Sequence, residues 1–464
     1  MDLLFANWRE SSKFAPKNHP HLILFMEPLK RKIDRTLVSW KAMEGHKPLV
    51  IKGCRQCGKT FSVMQFARKN YKNVVYLNFV EHDNYKLAFE QSKAVDDIIM
   101  NISAMIPETV FKEGETCIIL DEIQECPNAR ASLKFFKVDG RYDVIATGSL
   151  LGVRGYGQRD AKASVPVGYE HIEEMFPLDF EEFLWAMGIT PQIIDYVSEC
   201  MHDAKPVGAA IHQRLSQLML QYCVVGGMPE AVAAFQLHHN MGEVLKIQRD
   251  IVSGYEEDML KYAEDKDKAR IRECFESIPK QLAKENKKFQ YSLIRKGAKA
   301  SQYTGSIQWI EDAGIITRCY NLHITELPLD GNADKDSFKV YMADTGLFVS
   351  MLEDGTQFDI LQGNLFGYKG AIFENLVADI LHKMRRKLYY FRKDSGLEVD
   401  FVIRYKGECV LLEVKAKDGN TKSTRTILKH PEKYHVYHAI KLGNYNVGEK
   451  DRMMTLPLYM AIFL

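Results

Sequence analysis

Four short apolar runs, KPLVIKG, NVVYLNF, TCIILDE and DVIATGS, alternate with stretches of helical periodicity between about residues 48 and 185. They are rich in β-branched residues and bounded by Gly, Asn or Asp, the pattern of strands buried on both faces. Strands alternating with helices predict a parallel sheet with helices on either side. Ahead of them, MEPLKRKIDRTLVSWK places Leu29, Ile33, Leu37 and Trp40 on one face of a helix that packs on this core. Residues 1–25 read as an appendage, because Pro16, Pro20 and Pro28 interrupt the region, and Met26 is a candidate start.

Beyond the first unit the pattern turns helical from about 190 to 270, broken by the turn-forming GGMPE. FQYSLIRKGAKASQYTGSIQWIEDAGIITRC then looks like a winged-helix module, with Ile307 and Ile310 inward on a helix from about Ser301 to Asp312. Lys280, Lys284, Lys287, Lys288, Arg295, Lys296 and Lys299 cluster before that helix. A DNA role would set Lys299, Gln302 and Tyr303 near the groove or backbone; the plainer reading is a solvated basic face. A last unit begins near 338 and runs through the helix AIFENLVADILHKM and the strands KLYYFR, LEVDFVIRY and CVLLEVKA.

Composition narrows the function classes. With 62 basic and 61 acidic residues among 464, the net charge is only +1, so any nucleic-acid contact must be local. The nine scattered cysteines argue against a disulfide framework and fit a reducing cytoplasm. The longest apolar stretches fall far short of a membrane span.

The sharpest chemistry is Gly53-Cys54-Arg55-Gln56-Cys57-Gly58-Lys59-Thr60, followed by Phe61. It satisfies the phosphate-loop pattern G-x-x-x-x-G-K-[ST] and sits between the strand PLVIK and a helix. The two glycines permit a turn that points amide N–H groups at phosphate oxygens. Lys59 would reach the β- and γ-phosphates of a bound nucleotide, and the Thr60 hydroxyl would ligate Mg²⁺. The helix that starts there adds the positive end of its dipole. Cys54 and Cys57 form a C-x-x-C within the loop: either a redox switch on the phosphate nest or two loop positions of no special chemistry.

The run Cys117–Glu122 is an apolar strand ending in two carboxylates. Asp121 suits the Mg²⁺ shell and Glu122 suits polarising the attacking water. The following strand ends in Thr147-Gly148-Ser149, where Ser149 or Thr147 is placed to hydrogen-bond that water. In the tail, Asp400, Glu413 and Lys415 satisfy the D…E-x-K spacing of the restriction-endonuclease-like core, and alternation puts Glu413 and Lys415 on one strand face. Asp400 and Glu413 are candidate Mg²⁺ ligands, Lys415 a candidate activator of water, and Glu374 on the preceding helix a further ligand. Lys383, Arg385, Arg386, Arg392 and Lys393 lie between them, suited to a phosphate backbone.

Taken in order, RKIDRTLVSWK, GCRQCGKT, LDEIQECP, TGS, FPLDFEEFL, GGMPE, YMADTGL and AIFENLV resemble a prokaryotic family of AAA+ ATPases with a C-terminal domain of unknown function. The resemblance implies an α/β chain that binds ATP and Mg²⁺. It implies an AAA+ core over 26–189, a helical lid over 190–269, a winged-helix-like part over 270–330 and a PD-(D/E)xK nuclease-like part over 331–464. Many relatives carry a Gly-Arg pair before the PL-x-x-x-EF stretch, whereas here Gly168 is followed by Tyr169. An arginine finger would then fall to Arg154 or Arg159, supplied in a homo-oligomer. The expectation is a cytoplasmic ATP hydrolase that handles DNA without a membrane. The alternatives are a nucleotide-gated protein-interaction switch with a silent tail, and a Mg²⁺-dependent nuclease using ATP only as a switch.

Overall fold

In the computed structural model the described residues are 28–150, 168–263, 265–284, 287–363, 369–415 and 421–464. Residues 31–464 form one unit; of residues 1–30, only 28–30 are described, and they lie outside helix and strand.

The first sheet has the order β2 (Asn73–Asn78), β3 (Thr116–Asp121), β4 (Asp143–Ser149), β1 (Leu49–Gly53) and β5 (His171–Met175), with every pairing parallel. Alternation along β3 feeds two cores. Cys117 and Ile119 face Val63, Phe66, Leu37 and Trp40, whereas Ile118 and Leu120 face Ile98, Ile102, Leu133 and Phe136. This is the helix-covered parallel sheet expected from the four runs. The fifth strand carries no apolar signal: HIEEM occupies the sheet edge, where polar side chains are tolerated. The helix expected from Met26 onward begins only at Lys32, so Leu29 lies outside it while Ile33, Leu37 and Trp40 are buried. Asp34 Oδ2 accepts from the Arg31 amide at 3.0 Å and fixes that start.

Helices Phe180–Ala186, Pro191–His202, Ala209–Val225, Pro229–His238, Met241–Tyr262 and Asp265–Ala283 follow. GGMPE breaks two of them, with Pro229 at the first helical position. Helix Ala300–Asp312 buries Ile307 and Ile310 as expected, but it also buries Tyr303, whose hydroxyl donates to Glu273 at 2.5 Å. Tyr303 therefore cannot reach a groove. Lys280, Lys284, Lys288, Arg295, Lys296, Lys299 and Gln302 are exposed.

β6 (Ile316–Leu322) pairs antiparallel with β7 (Ala333–Met342) and parallel with β8 (Leu388–Arg392). That sheet crosses the expected 330/331 boundary. LEVDFVIRY is not one strand: β9 (Glu398–Val399) pairs with β8, β10 (Phe401–Tyr405) pairs with β11 (Glu408–Val414), and Asp400 is the bend between sheets. β11 continues through β12 (His438–Gly443) and β14 (Met453–Pro457) to β13 (Gly448–Lys450).

Candidate functional site

The phosphate loop leaves β1 at Gly53, in register with Ser149 of β4 and Met175 of β5. A Cβ on Gly53 would stand 2.3 Å from the Met175 carbonyl oxygen and 2.9 Å from Cys57 Sγ, so no larger residue fits. Gln56 (φ 62°) and Gly58 (φ 93°) take left-handed backbone, the curvature of a phosphate cradle, and helix Lys59–Asn70 starts from it. Lys59 Nζ donates to the carbonyls of Gly53 (3.1 Å) and Cys54 (2.8 Å), so its ammonium lies across the loop. Phe61 is 54% exposed.

Asp121 ends β3 buried among donors. Thr60 Oγ1 lies 3.1 Å from each of its oxygens; Tyr76 donates at 2.7 Å, Asn78 at 3.3 Å, the Glu122 amide at 3.2 Å, and the Thr147 hydroxyl as well. Burial and the Asp121 charge push the Tyr76 phenol far above its ordinary range, so it remains a donor. A hydroxyl facing a held carboxylate fits Mg²⁺, a hard cation that takes few protein oxygens beside water and phosphate. Glu122 has left-handed backbone (φ 55°, ψ 47°), a strained position for a non-glycine, and Gln124 Nε2 donates to its Oε2 at 2.5 Å. Of the two candidates on β4, Thr147 is bound to Asp121, while Ser149 stands opposite the loop at Gly53.

Tyr76, Asn78, Gln124 and Arg31 went unread in the sequence. Arg31 is 7% exposed: Nη1 donates to the Cys57 carbonyl (3.0 Å), Nη2 to the Phe176 carbonyl (2.7 Å), and Nε lies 3.2 Å from Glu182 Oε1. A single arginine before an amphipathic helix gives no signal of such burial. Helix Met241–Tyr262 closes on the loop tip through Arg55–Asp258 (2.8 Å) and the Tyr255 hydroxyl on the Arg55 carbonyl (3.4 Å). Cys54 and Cys57 are both buried. The hydrogen bond from Cys54 holds Cys57 down to about 6 against burial, helped by the Lys59 and Arg31 charges, and raises Cys54 well above an ordinary thiol. Arg154 and Arg159 lie outside the described residues.

A second cluster lines a cavity of about 340 Å³: Glu374, Glu398, Asp400, Glu413, Lys287 and Lys415, with Lys422 and Ser423. The four predicted tail residues thus do meet, each already in company. Glu374 accepts from Lys287, from Lys339 at 3.1 Å and from Tyr341; Glu413 pairs with Lys415 at 2.5 Å and accepts from Thr424; Asp400 Oδ2 accepts from the Val414 amide at 2.8 Å. Despite burial, Lys287 and Lys339 draw Glu374 down to about 2, while burial and then the charges of Glu374 and Glu413 push Asp400 up to about 7. Lys339, 1% exposed, was unread, because β7 carries it against Glu374 and Glu398 from outside the D…E-x-K pattern. Among the described residues no group of three or more His, Cys, Asp or Glu is arranged to hold a metal ion, and here ammonium groups hold the carboxylates. As arranged, each of these carboxylates is already met by an ammonium, hydroxyl or amide donor.

The basic row expected to face a phosphate backbone is largely engaged. Lys383 is buried against Asp344 and Asp379, Arg385 pairs with Glu173, and Arg386 donates to the carbonyls of Arg404 and Leu464. Arg392 lies 3.7 Å from Glu398, and Lys393 covers the rings of Phe391 and Tyr434. Of these only Lys383 is buried, where two carboxylates offset the cost of desolvating its charge; Arg385 is exposed, and Arg386, Arg392 and Lys393 are half-buried.

Residues 45–184 match a family model described as AAA domain. Two further models, Domain of unknown function (DUF8612) and Domain of unknown function (DUF4143), match residues 216–357 and 369–460. No curated protein matches the chain. Among solved structures, the Walker-type ATPase PABY2304 of Pyrococcus abyssi is similar at 12% identity and a TM-score of 0.42, over 70% of this chain and 98% of that one. C. elegans PCH-2 gives 11% identity and 0.26, over 45% and 62%. AMPPCP-bound DnaA from Aquifex aeolicus gives 13% and 0.23, over 60% and 86%. Likenesses this remote carry no argument about function. No described helix is long and apolar enough to cross a membrane. The AAA match, the phosphate loop and the five-stranded parallel sheet agree on a nucleotide-binding ATPase fold for the first part of the chain.

Proposed function

We propose that this chain hydrolyses ATP at the Gly53–Thr60 loop and spends the cycle on DNA bound by its middle segment. The observation that carries the first half is Thr60 within 3.1 Å of Asp121 beside a glycine-built loop. Lys59 would leave the Gly53 and Cys54 carbonyls for the β- and γ-phosphates. Thr60 and Asp121 would hold Mg²⁺, which neutralises charge between those phosphates when bound. Glu122, oriented by Gln124, receives the proton of the attacking water. Ser149 faces the same space from β4, and Arg154 or Arg159 of a neighbouring copy would complete the charge. DNA is supported by the exposed row Lys280, Lys284, Lys288, Arg295, Lys296 and Lys299. The test is ATP turnover with single-stranded, double-stranded and no DNA: stimulation by either supports the reading, and equal turnover in all three removes DNA from it.

A second reading is favoured by the lysine-paired carboxylates: a nucleotide-gated switch whose nuclease-like tail is silent. Phosphodiester cleavage at Asp400, Glu413 and Lys415 would require a cation to displace these ammonium groups. Cleavage of linear, nicked, branched and single-stranded DNA with Mg²⁺ or Mn²⁺, abolished by Asp400→Ala, would overturn the silent tail.

A further inference from the structure

Helix Lys369–Lys383 carries Glu374 in the acid–lysine pocket and, nine residues on, Lys383, about 14 Å away along its axis. Lys383 Nζ lies 2.8 Å from Asp379 and 3.3 Å from Asp344, and donates to the Tyr222 hydroxyl at 3.0 Å and the Leu178 carbonyl at 3.3 Å. The Tyr222 hydroxyl donates to the same Leu178 carbonyl at 2.8 Å. The Leu178 amide donates to the Gly227 carbonyl at 2.7 Å, and a Cβ on Gly227 would stand 2.0 Å from the Leu178 oxygen. The Gly227 amide in turn donates to Asp344 at 2.7 Å. FPLDFEEFL, GGMPE and YMADTGL, far apart in sequence, thus meet around one buried ammonium.

The strap that carries Leu178 also touches the phosphate loop. Two residues upstream, the Phe176 carbonyl accepts from Arg31 Nη2, while Nη1 of the same guanidinium donates to the Cys57 carbonyl inside the loop. The Phe176 ring meets His382, beside Lys383, edge-on at 5.3 Å. A planar guanidinium bonded at both ends fixes the separation of its two acceptors. We propose that helix Lys369–Lys383 couples the nucleotide site to the acid–lysine pocket through Lys383, the strap Phe176–Leu178 and Arg31. The proposal rests on the reading of Gly53–Thr60 as an ATP site. A phosphate that takes Lys59 from the Gly53 and Cys54 carbonyls changes the loop around Cys57, and Arg31 carries that change to the strap. Lys383, bound to two carboxylates of its own unit, passes it to the helix and so to Glu374. Packed interiors respond by switching between arrangements rather than by gradual strain, and the coupling is reciprocal. Lys383 and Tyr222 are here positioning residues, acting on the pocket through the helix.

The experiment is amide hydrogen exchange of the full chain, with and without a non-hydrolysable ATP analogue, binding being followed in parallel with fluorescent ADP. Peptides from 369–383 are compared with the 448–457 hairpin, which belongs to the same unit but lies off the route. Nucleotide is expected to slow exchange in 369–383 by about fivefold or more relative to the hairpin, the lower end of ordinary coupling. Tyr222→Phe, which keeps the ring and removes the shared hydroxyl, should at least halve that difference while still binding nucleotide. Lys383→Met should abolish it, and Tyr222→Phe stands alone if the lysine variant does not fold. Nucleotide binding with equal change in both segments, or a full response in Tyr222→Phe, overturns the coupling alone. Absence of nucleotide binding overturns the coupling together with the ATP site.

Discussion

Thr60 Oγ1 lies 3.1 Å from both carboxylate oxygens of Asp121, joining the first turn after the phosphate loop to the end of the acidic strand. Removing the hydroxyl takes away one side of the proposed Mg²⁺ shell and leaves Asp121 its four other donors. Thr60→Ala should therefore keep the fold and raise the Mg²⁺ concentration for half-maximal ATP turnover by about tenfold or more. A Mg²⁺ titration of turnover, with melting temperature alongside, checks this; an unchanged midpoint would remove Thr60 from the shell.

Glu122 and Lys59 serve different steps. Glu122→Gln keeps shape and the contact with Gln124 but loses the base, so ATP should still bind while turnover falls by about 10²-fold or more. Lys59→Ala should weaken binding itself, because it removes the ammonium held across the loop. Equilibrium binding of fluorescent ATP and single-turnover hydrolysis separate the two; wild-type turnover in Glu122→Gln refutes its role.

Gly53→Ala places a methyl 2.3 Å from the Met175 backbone oxygen, an atom with no rotamer to yield. Destabilisation of about 1–3 kcal/mol is expected from overpacking, with weakened nucleotide affinity because the loop must shift. Chemical denaturation and nucleotide binding measure both. A stable variant with normal affinity would mean that β1 and β5 can separate without cost.

The acid–lysine pocket has a pH signature. Asp400 is raised to about 7 from an ordinary 3.8, so the folded chain holds a proton there that the unfolded chain has lost. Stability from this group is therefore full below about pH 4 and declines as pH rises toward 7. Asp400→Asn, which keeps an oxygen for the Val414 amide, should flatten that decline. Melting temperatures of the two proteins from pH 5 to 8 test it; parallel curves would show that Asp400 is not the group responsible.

The sequence alone determined the phosphate loop, because its glycines, lysine and threonine act at fixed spacing within one strand–turn–helix. It also determined β1 to β4, since strands buried on both faces must be continuously apolar, and it brought Asp400, Glu413 and Lys415 together through a short hairpin. It missed β5, whose edge position frees HIEEM from any apolar pattern. It ran LEVDFVIRY as one strand, because nothing local marks Asp400 as the bend where the chain changes sheets. The tertiary structure alone decided what the charges do. Lys383 reads in sequence like its neighbours Arg385 and Arg386, yet its side chain is 1% exposed, held between Asp379 one turn back on its own helix and the distant Asp344. Arg31 and Lys339 are likewise buried against partners from distant segments, Cys57, Phe176 and Glu182 for the one and Glu374 and Glu398 for the other, and those partners come together only once the chain has folded.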